Sequence, residues 1–236
     1  MQDIFSKYDI ELSEAELEKF EKFLEIFMET NSQINLSAIR DEAWIIEKHF
    51  VDSVMLAVFF ELVPVPKGTG TLKVADLGTG GGFPGIPLAI IHPEAEFTLI
   101  DSVAKKLKCI NDFTEKLELD NVKTLVWRAE DIGQNGEYRE SFDLITSRAT
   151  AYFPTLLEYS LPLLKVWGIF AAYKLTDKEE FASIKKALTR LWGKILKIKN
   201  YEIDGQERSI VFIEKIAKTH AKYPRKVWVP LASPIV

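Results

Sequence analysis

Between Val74 and Gly85 the chain reads Val-Ala-Asp-Leu-Gly-Thr-Gly-Gly-Gly-Phe-Pro-Gly. Four glycines fall in the five positions from Gly78 to Gly82, directly after an apolar run that ends on Asp76 and Leu77. Glycines so concentrated are needed where backbone takes positive φ or a ligand comes close. The apolar run Ile86–Ile91 that follows predicts a helix. The stretch therefore reads as strand, tight turn and helix start, the arrangement of a nucleotide-like binding site.

Two spacings compete there. The dinucleotide fingerprint fits as Gly80-x-Gly82-x-x-Gly85, but Pro84 and Pro87 are an unusual entry for a pyrophosphate helix. The spacing Asp76-x-Gly78-x-Gly80-x-Gly82 is that of S-adenosylmethionine (SAM) sites in doubly wound methyltransferases. SAM carries no phosphate, and Asp76 is placed to accept from its ammonium group. Asp101 closes the strand-like run Phe97–Ile100, nineteen residues past Gly82. An acid there typically bonds ribose hydroxyls, in either cofactor.

From Thr71 onward strand and helix patterns alternate. Strands are predicted over 72–77, 97–101, 122–127, 142–146, 168–174, 194–203 and 208–215, and helices over 85–91, 104–117, 153–165 and 177–192. Alternation of this kind implies an α/β fold with a largely parallel sheet. The last two strands, joined around Asp204-Gly205, predict an antiparallel hairpin. Seven strands ending in a hairpin is the plan of a Rossmann-like class I SAM-dependent methyltransferase. Ahead of it lies a small helical unit. Ser13 and Glu16 form a capping box, Leu17, Phe20, Phe23, Leu24 and Phe27 give a core-facing stripe, and Asp41 caps a second helix. The linker Pro64–Gly70 suggests two domains: residues 1–66, helical, and residues 67–236, SAM-binding with a basic tail.

The strand ends supply the chemistry. Arg128-Ala129-Glu130-Asp131 follows the third strand, where an acid suits the adenine amino group. Ser147-Arg148-Ala149 follows the fourth, and Arg148 could pair with a carboxylate or phosphate. Tyr173-Lys174 follows the fifth. The net charge of -5 argues against a general nucleic-acid coat protein. Even so, six Lys/Arg and no acid lie between Ala182 and Lys199, and five more between Lys215 and Lys226. Tyr223 and Trp228 interleave with the second run and could stack on bases. Cys109 is the only cysteine, which excludes an internal disulfide and a multi-cysteine zinc site and fits a reducing cytoplasm. Neither a signal peptide nor a membrane span is expected, and no metal site.

On these residues the chain resembles the RsmG (GidB) family, 16S ribosomal RNA guanine-7-nitrogen methyltransferases. The stretches that carry the resemblance are Asn35–Asp41, Lys48–Ser53, Asp76–Pro87, Leu99–Ser102, Arg128–Asp131, Ser147–Ala149 and Tyr223–Lys226. It implies that Gly78, Phe83, Ala129, Glu130 and Arg148 line a SAM pocket, and is consistent with Asp101 near the ribose. It also implies 16S ribosomal RNA or the small ribosomal subunit as partner. The cofactor set is then Asp76, Gly78, Gly80, Gly82, Phe83, Asp101, Ala129, Glu130 and Arg148. Arg40, Lys48, Lys174, Lys222, Arg225 and Lys226 are the RNA-contact candidates, with Arg148 and Lys174 as positioning groups. Two positions depart from the family pattern, where glycine follows the Lys of the fifth strand and recurs after the tail's Arg-Lys. Here these are Leu175 and the pair Val227-Trp228. No general base is expected, because guanine N7 presents a free lone pair; His49 is read as a packed or surface residue. A monomer is expected. Another RNA or a small molecule remains an alternative acceptor, and a nucleotide-binding regulator or dehydrogenase a third reading.

Overall fold

The computed structural model describes residues 1–60, 70–148, 151–176 and 178–236. All of the linker read from the sequence but Gly70, and with it the 66/67 boundary, falls in 61–69, outside the described residues; Ala149 lies outside them too.

Seven strands form one sheet: β1 Lys73–Leu77, β2 Glu96–Asp101, β3 Val122–Val126, β4 Phe142–Arg148, β5 Leu164–Leu175, β6 Gly193–Ile203 and β7 Gln206–Lys215, in the order β3-β2-β1-β4-β5-β7-β6. β1 to β5 are parallel, and β7 runs antiparallel to both β5 and β6. This is the predicted sheet with its terminal hairpin. The order reverses at β1, so a crevice opens where β1 and its neighbours end, the usual ligand position in such sheets.

The helices are α1 Gln2–Ser6, α2 Glu14–Gln33, α3 Glu42–Ile45, α4 Asp52–Phe60, α5 Gly85–Ile91, α6 Ala104–Lys116, α7 Ala129–Ile132, α8 Phe153–Ser160, α9 Lys178–Ser183, α10 Lys185–Leu191 and α11 Val229–Ala232. The capping box of Ser13 and Glu16 starts α2, and the Asp41 carboxylate accepts from the Trp44 amide. The second N-terminal helix is not uniform. A π-helical turn, Ile46–Val51, sits between α3 and α4 and shifts the phase of the side chains. Trp44 is 52 % exposed, while Ile45 ahead of the turn and Val54 beyond it are both buried. α8 ends at Ser160, because the backbone from Leu164 is taken into β5.

Phe20, Phe23 and Phe27 of α2 are fully buried, and they join one continuous hydrophobic cluster with α5, α6 and the sheet. The N-terminal helices thus have no separate core. No helix among the described residues is long and apolar enough to cross a membrane.

Candidate functional site

The glycine loop takes its shape from three alternate residues. Gly78, Gly80 and Gly82 have φ of +76°, +59° and +95°, values at which a side chain would be strained. These are the three glycines of the Asp76-x-Gly-x-Gly-x-Gly spacing. Gly85 is required for a different reason: a Cβ there would lie 2.2 Å from Leu99 Cδ2 and 2.8 Å from Asp76 Oδ2.

The loop's amides are turned inward. The N–H groups of Gly78 and Thr79 donate to the Ile100 carbonyl at 2.8 and 3.1 Å, and those of Gly82 and Phe83 to the Thr79 carbonyl at 2.9 and 3.0 Å. The Gly80 amide donates to Asp101 Oδ2 at 3.0 Å and the Gly85 amide to Asp76 Oδ2 at 2.9 Å. A phosphate cradle needs such donors pointing at the ligand. Here six of them are engaged within the protein.

A cavity of about 630 Å³ lies over the strand ends, of a size for a drug-sized ligand. Its wall includes Gly78, Gly80, Phe83, Asp101, Ala129, Glu130 and Arg148 from the expected cofactor set, together with Lys48. Asp101 is 9 % exposed. Its second oxygen accepts from the Val103 amide at 2.9 Å, and each oxygen keeps a lone pair for a further donor. Glu130 Oε1 accepts from the Tyr159 hydroxyl at 3.0 Å and the Trp228 amide at 3.1 Å.

Two members of that set stand apart from the wall. Asp76 is fully buried, so the expected contact with a ligand ammonium gives way to bracing of the loop through Gly85. Burial pushes its carboxyl up to about 6, against the lowering by the Thr79 hydroxyl and the Gly85 amide. Gly82 lies against Ile86, which a Cβ would meet at 2.5 Å.

Arg148, the last residue of β4, is 88 % withdrawn from solvent, its side chain being 12 % exposed. Its Nη1 donates to Asp52 Oδ2 at 2.8 Å, and Arg208 Nη1 donates to the same oxygen at 2.9 Å. The Tyr201 hydroxyl donates to Asp52 Oδ1 at 2.7 Å. Asp52 itself is 1 % exposed, so two guanidiniums share one buried counter-charge. Arg148 Nη2 also donates to His49 Nδ1 at 3.3 Å. The ring hydrogen therefore sits on Nε2, which donates to Ser37 Oγ at 2.7 Å. His49 stacks on Phe83 with ring centres 4.7 Å apart. Burial and then the neighbouring Arg148 push its pKa down to about 3. His49 is a neutral part of the wall, packed there against Phe83.

The RNA-contact candidates divide. Lys174 is paired with Glu180 and largely buried, and Arg225 grips the fully buried Glu158 through Nε at 2.9 Å and Nη2 at 2.7 Å. Both hold the fold, and Lys174 is not on the cavity wall. Arg40 donates to the Asn31 carbonyl and to Asn35 Oδ1, closing its own loop. Lys48 pairs with Asp204 at 2.8 Å. Lys222 and Lys226 are exposed. Tyr223 is 5 % exposed, which removes it as a stacking residue. Trp228 is exposed and belongs to the cavity wall. Sequence reasoning also missed Tyr159 and Arg208 on that wall; their partners lie 29 and 156 residues away, beyond any local pattern.

The structure is similar to a putative O-methyltransferase from Klebsiella pneumoniae, with a TM-score of 0.61 at 14% identity, covering 92% of this chain and 96% of that one. It is also similar to a SAM-dependent methyltransferase from Aquifex aeolicus, with a TM-score of 0.52 at 18% identity, covering 72% and 93% of the two chains. These likenesses establish the class I methyltransferase fold. In sequence, the chain is 41% identical over 230 residues to ribosomal RNA small subunit methyltransferase G of Lactococcus lactis subsp. cremoris, covering 97% of this chain and 94% of that protein. It is 42% identical over 233 residues to the Desulfitobacterium hafniense protein of the same name, covering 98% and 94%. Residues 16–216 match the family model GidB, described as rRNA small subunit methyltransferase G, and the chain belongs to that family.

Proposed function

We propose that this protein binds SAM in the cavity over β1, β2 and β3 and transfers its methyl group to N7 of a guanine in small-subunit (16S) ribosomal RNA. The observation that carries the cofactor reading is the inward-turned loop. Its amides are spent on Ile100, Thr79, Asp101 and Asp76, which suits a cationic sulfonium and not a pyrophosphate. The residues fit the group: Asp101 for the ribose hydroxyls, Ala129 and Glu130 for the adenine, Gly78, Gly80 and Phe83 for the loop side, and Arg148 for the carboxylate. Bound there, SAM supplies an electrophilic methyl group.

The acceptor reading rests on family membership and agrees with the wall's chemistry. N7 attacks with its lone pair and no proton need be removed first. His49, the wall's imidazole, is held between Arg148 and Ser37, and the carboxylates of Asp101 and Glu130 already accept from protein donors on the cofactor side. What such a reaction asks of the protein is alignment. The Phe83–His49 stack and the Asp52-anchored Arg148 provide a fixed surface for it. Exposed Lys222 and Lys226, with the lysines of β6, supply positive surface for the RNA backbone.

Transfer of labelled methyl groups from SAM to 16S RNA and to small subunits lacking the modification tests this, with the product base identified by mass. Incorporation as 7-methylguanine is expected. No incorporation into either substrate, or a methyl group elsewhere than N7, would overturn it.

A further inference from the structure

Trp228 is unlike the rest of the cavity wall. Its φ is +71°, where a Cβ crowds the backbone and glycine is ordinarily found. The residue is 57 % exposed, so core packing does not account for a tryptophan there. The position is nevertheless fixed. The Trp228 amide donates to Glu130, itself held by Tyr159. Two residues on, the Pro230 carbonyl accepts from Thr155 Oγ1 at 2.9 Å. The Arg128 guanidinium lies 4.4 Å from the centre of the ring. Backbone strain persists where the surroundings over-determine it. Here the surroundings hold an exposed aromatic ring at the wall of a binding cavity.

The strand order says which part of a ligand meets that ring. Arg128, Ala129 and Glu130 follow β3, the edge strand, whereas Arg148 ends β4. With strands about 4.8 Å apart, the two lie roughly 14 Å from one another across the sheet. Asp101, the ribose candidate, ends β2, between them. A ligand whose ribose sits on Asp101 then has its base toward β3 and its reacting end toward β1 and β4.

We infer that Trp228 stacks on the adenine of the bound cofactor and so sets the affinity for it, an inference that rests on the cofactor reading above. The ring contacts the base directly, and Arg128 lies over the indole as a cation–π partner. The acceptor guanine enters at the Arg148 end and does not touch Trp228.

Calorimetric titration of S-adenosylhomocysteine into the wild type and Trp228→Phe, Trp228→Gly and Trp228→Ala tests this, with melting temperatures recorded in parallel. Phenylalanine keeps a stacking face and should bind within a few-fold of the wild type. Glycine and alanine should each weaken binding by roughly 5- to 150-fold, the usual worth of one base–aromatic stack. The two should weaken it alike, although the glycine variant melts higher because only glycine relieves the positive φ. Tryptophan fluorescence should be quenched on binding in the wild type and much less in Trp228→Phe. Wild-type affinity in the glycine and alanine variants, or affinity that follows melting temperature, would overturn the inference. So would unchanged cofactor affinity with weakened binding of 16S RNA, which would assign the ring to the acceptor. Failure of the wild type itself to bind S-adenosylhomocysteine would remove the cofactor reading and this inference with it.

Discussion

Replacing His49 by glutamine and unfolding both proteins in urea at about pH 7.5 and about pH 5 measures how the cavity wall is charged. In the folded protein His49 has a pKa near 3, through burial and the Arg148 guanidinium; in the unfolded chain it returns to about 6.5. A depressed folded value stabilises the protein fully above about pH 6.5, and that stability is lost as pH falls toward 3. At pH 5 the unfolded chain has almost a full proton on His49 and the folded one almost none. The difference of about 1.5 pH units below the unfolded pKa is worth about 2 kcal/mol. The figure depends little on the folded value, because anywhere below about 4 the ring stays neutral at pH 5. Glutamine does not titrate, and the carboxylates titrate alike in both proteins. The stability of the wild type relative to His49→Gln should therefore fall by about 2 kcal/mol between the two pH values. A gap that stays constant would refute the reasoning, for it would mean that the ring is protonated in the folded state or reached by water.

Three further substitutions test other parts of the frame. Gly85→Ala should cost about 1–3 kcal/mol or more in thermal unfolding, since its Cβ meets Leu99 at 2.2 Å; an unchanged melting temperature would contradict the packing. Asp52→Ala leaves Arg148 and Arg208 without their shared carboxylate and should destabilise by about 3–5 kcal/mol in denaturant titration. Adding Arg208→Ala should recover part of that loss, and strict additivity of the two would argue against the shared pairing. Glu158→Ala releases Arg225 and should cost about 2–3 kcal/mol, with faster amide exchange confined to residues near 223–233; uniform loss of protection would count against a local clamp.

The sheet was legible because its strands are short apolar runs punctuated by turn residues, and each observed strand overlaps its predicted one. Ser13 and Asp41 were legible because caps are local. What could not be read depended on tertiary contacts, whether the partner is near or far along the chain. Lys174 and Arg225 looked like free cations because Glu180 and Glu158 gave no hint of facing them. Tyr223 looked like a stacking residue because nothing local says the tail folds back onto the body. Asp76 was placed correctly beside the loop, yet which way its carboxylate turns depends on the Gly85 amide. The π-helical turn that carries Lys48 and His49 to the cavity has no sequence signature at all.

The cavity has walls drawn from both ends of the chain. Ser37, Lys48 and His49 come from ahead of β1, and Trp228 and Leu231 from beyond β7. A fragment trimmed to the seven strands would keep the glycine loop and Asp101 but lose both sides of the cleft they floor. Grafting the loop into another doubly wound sheet would transfer the hinge of the site without its enclosure. During synthesis, likewise, the sheet can pair before the residues that finish the pocket have been added. The capacity to hold a ligand thus waits for the stretch beyond β7 that Glu158 fastens in place.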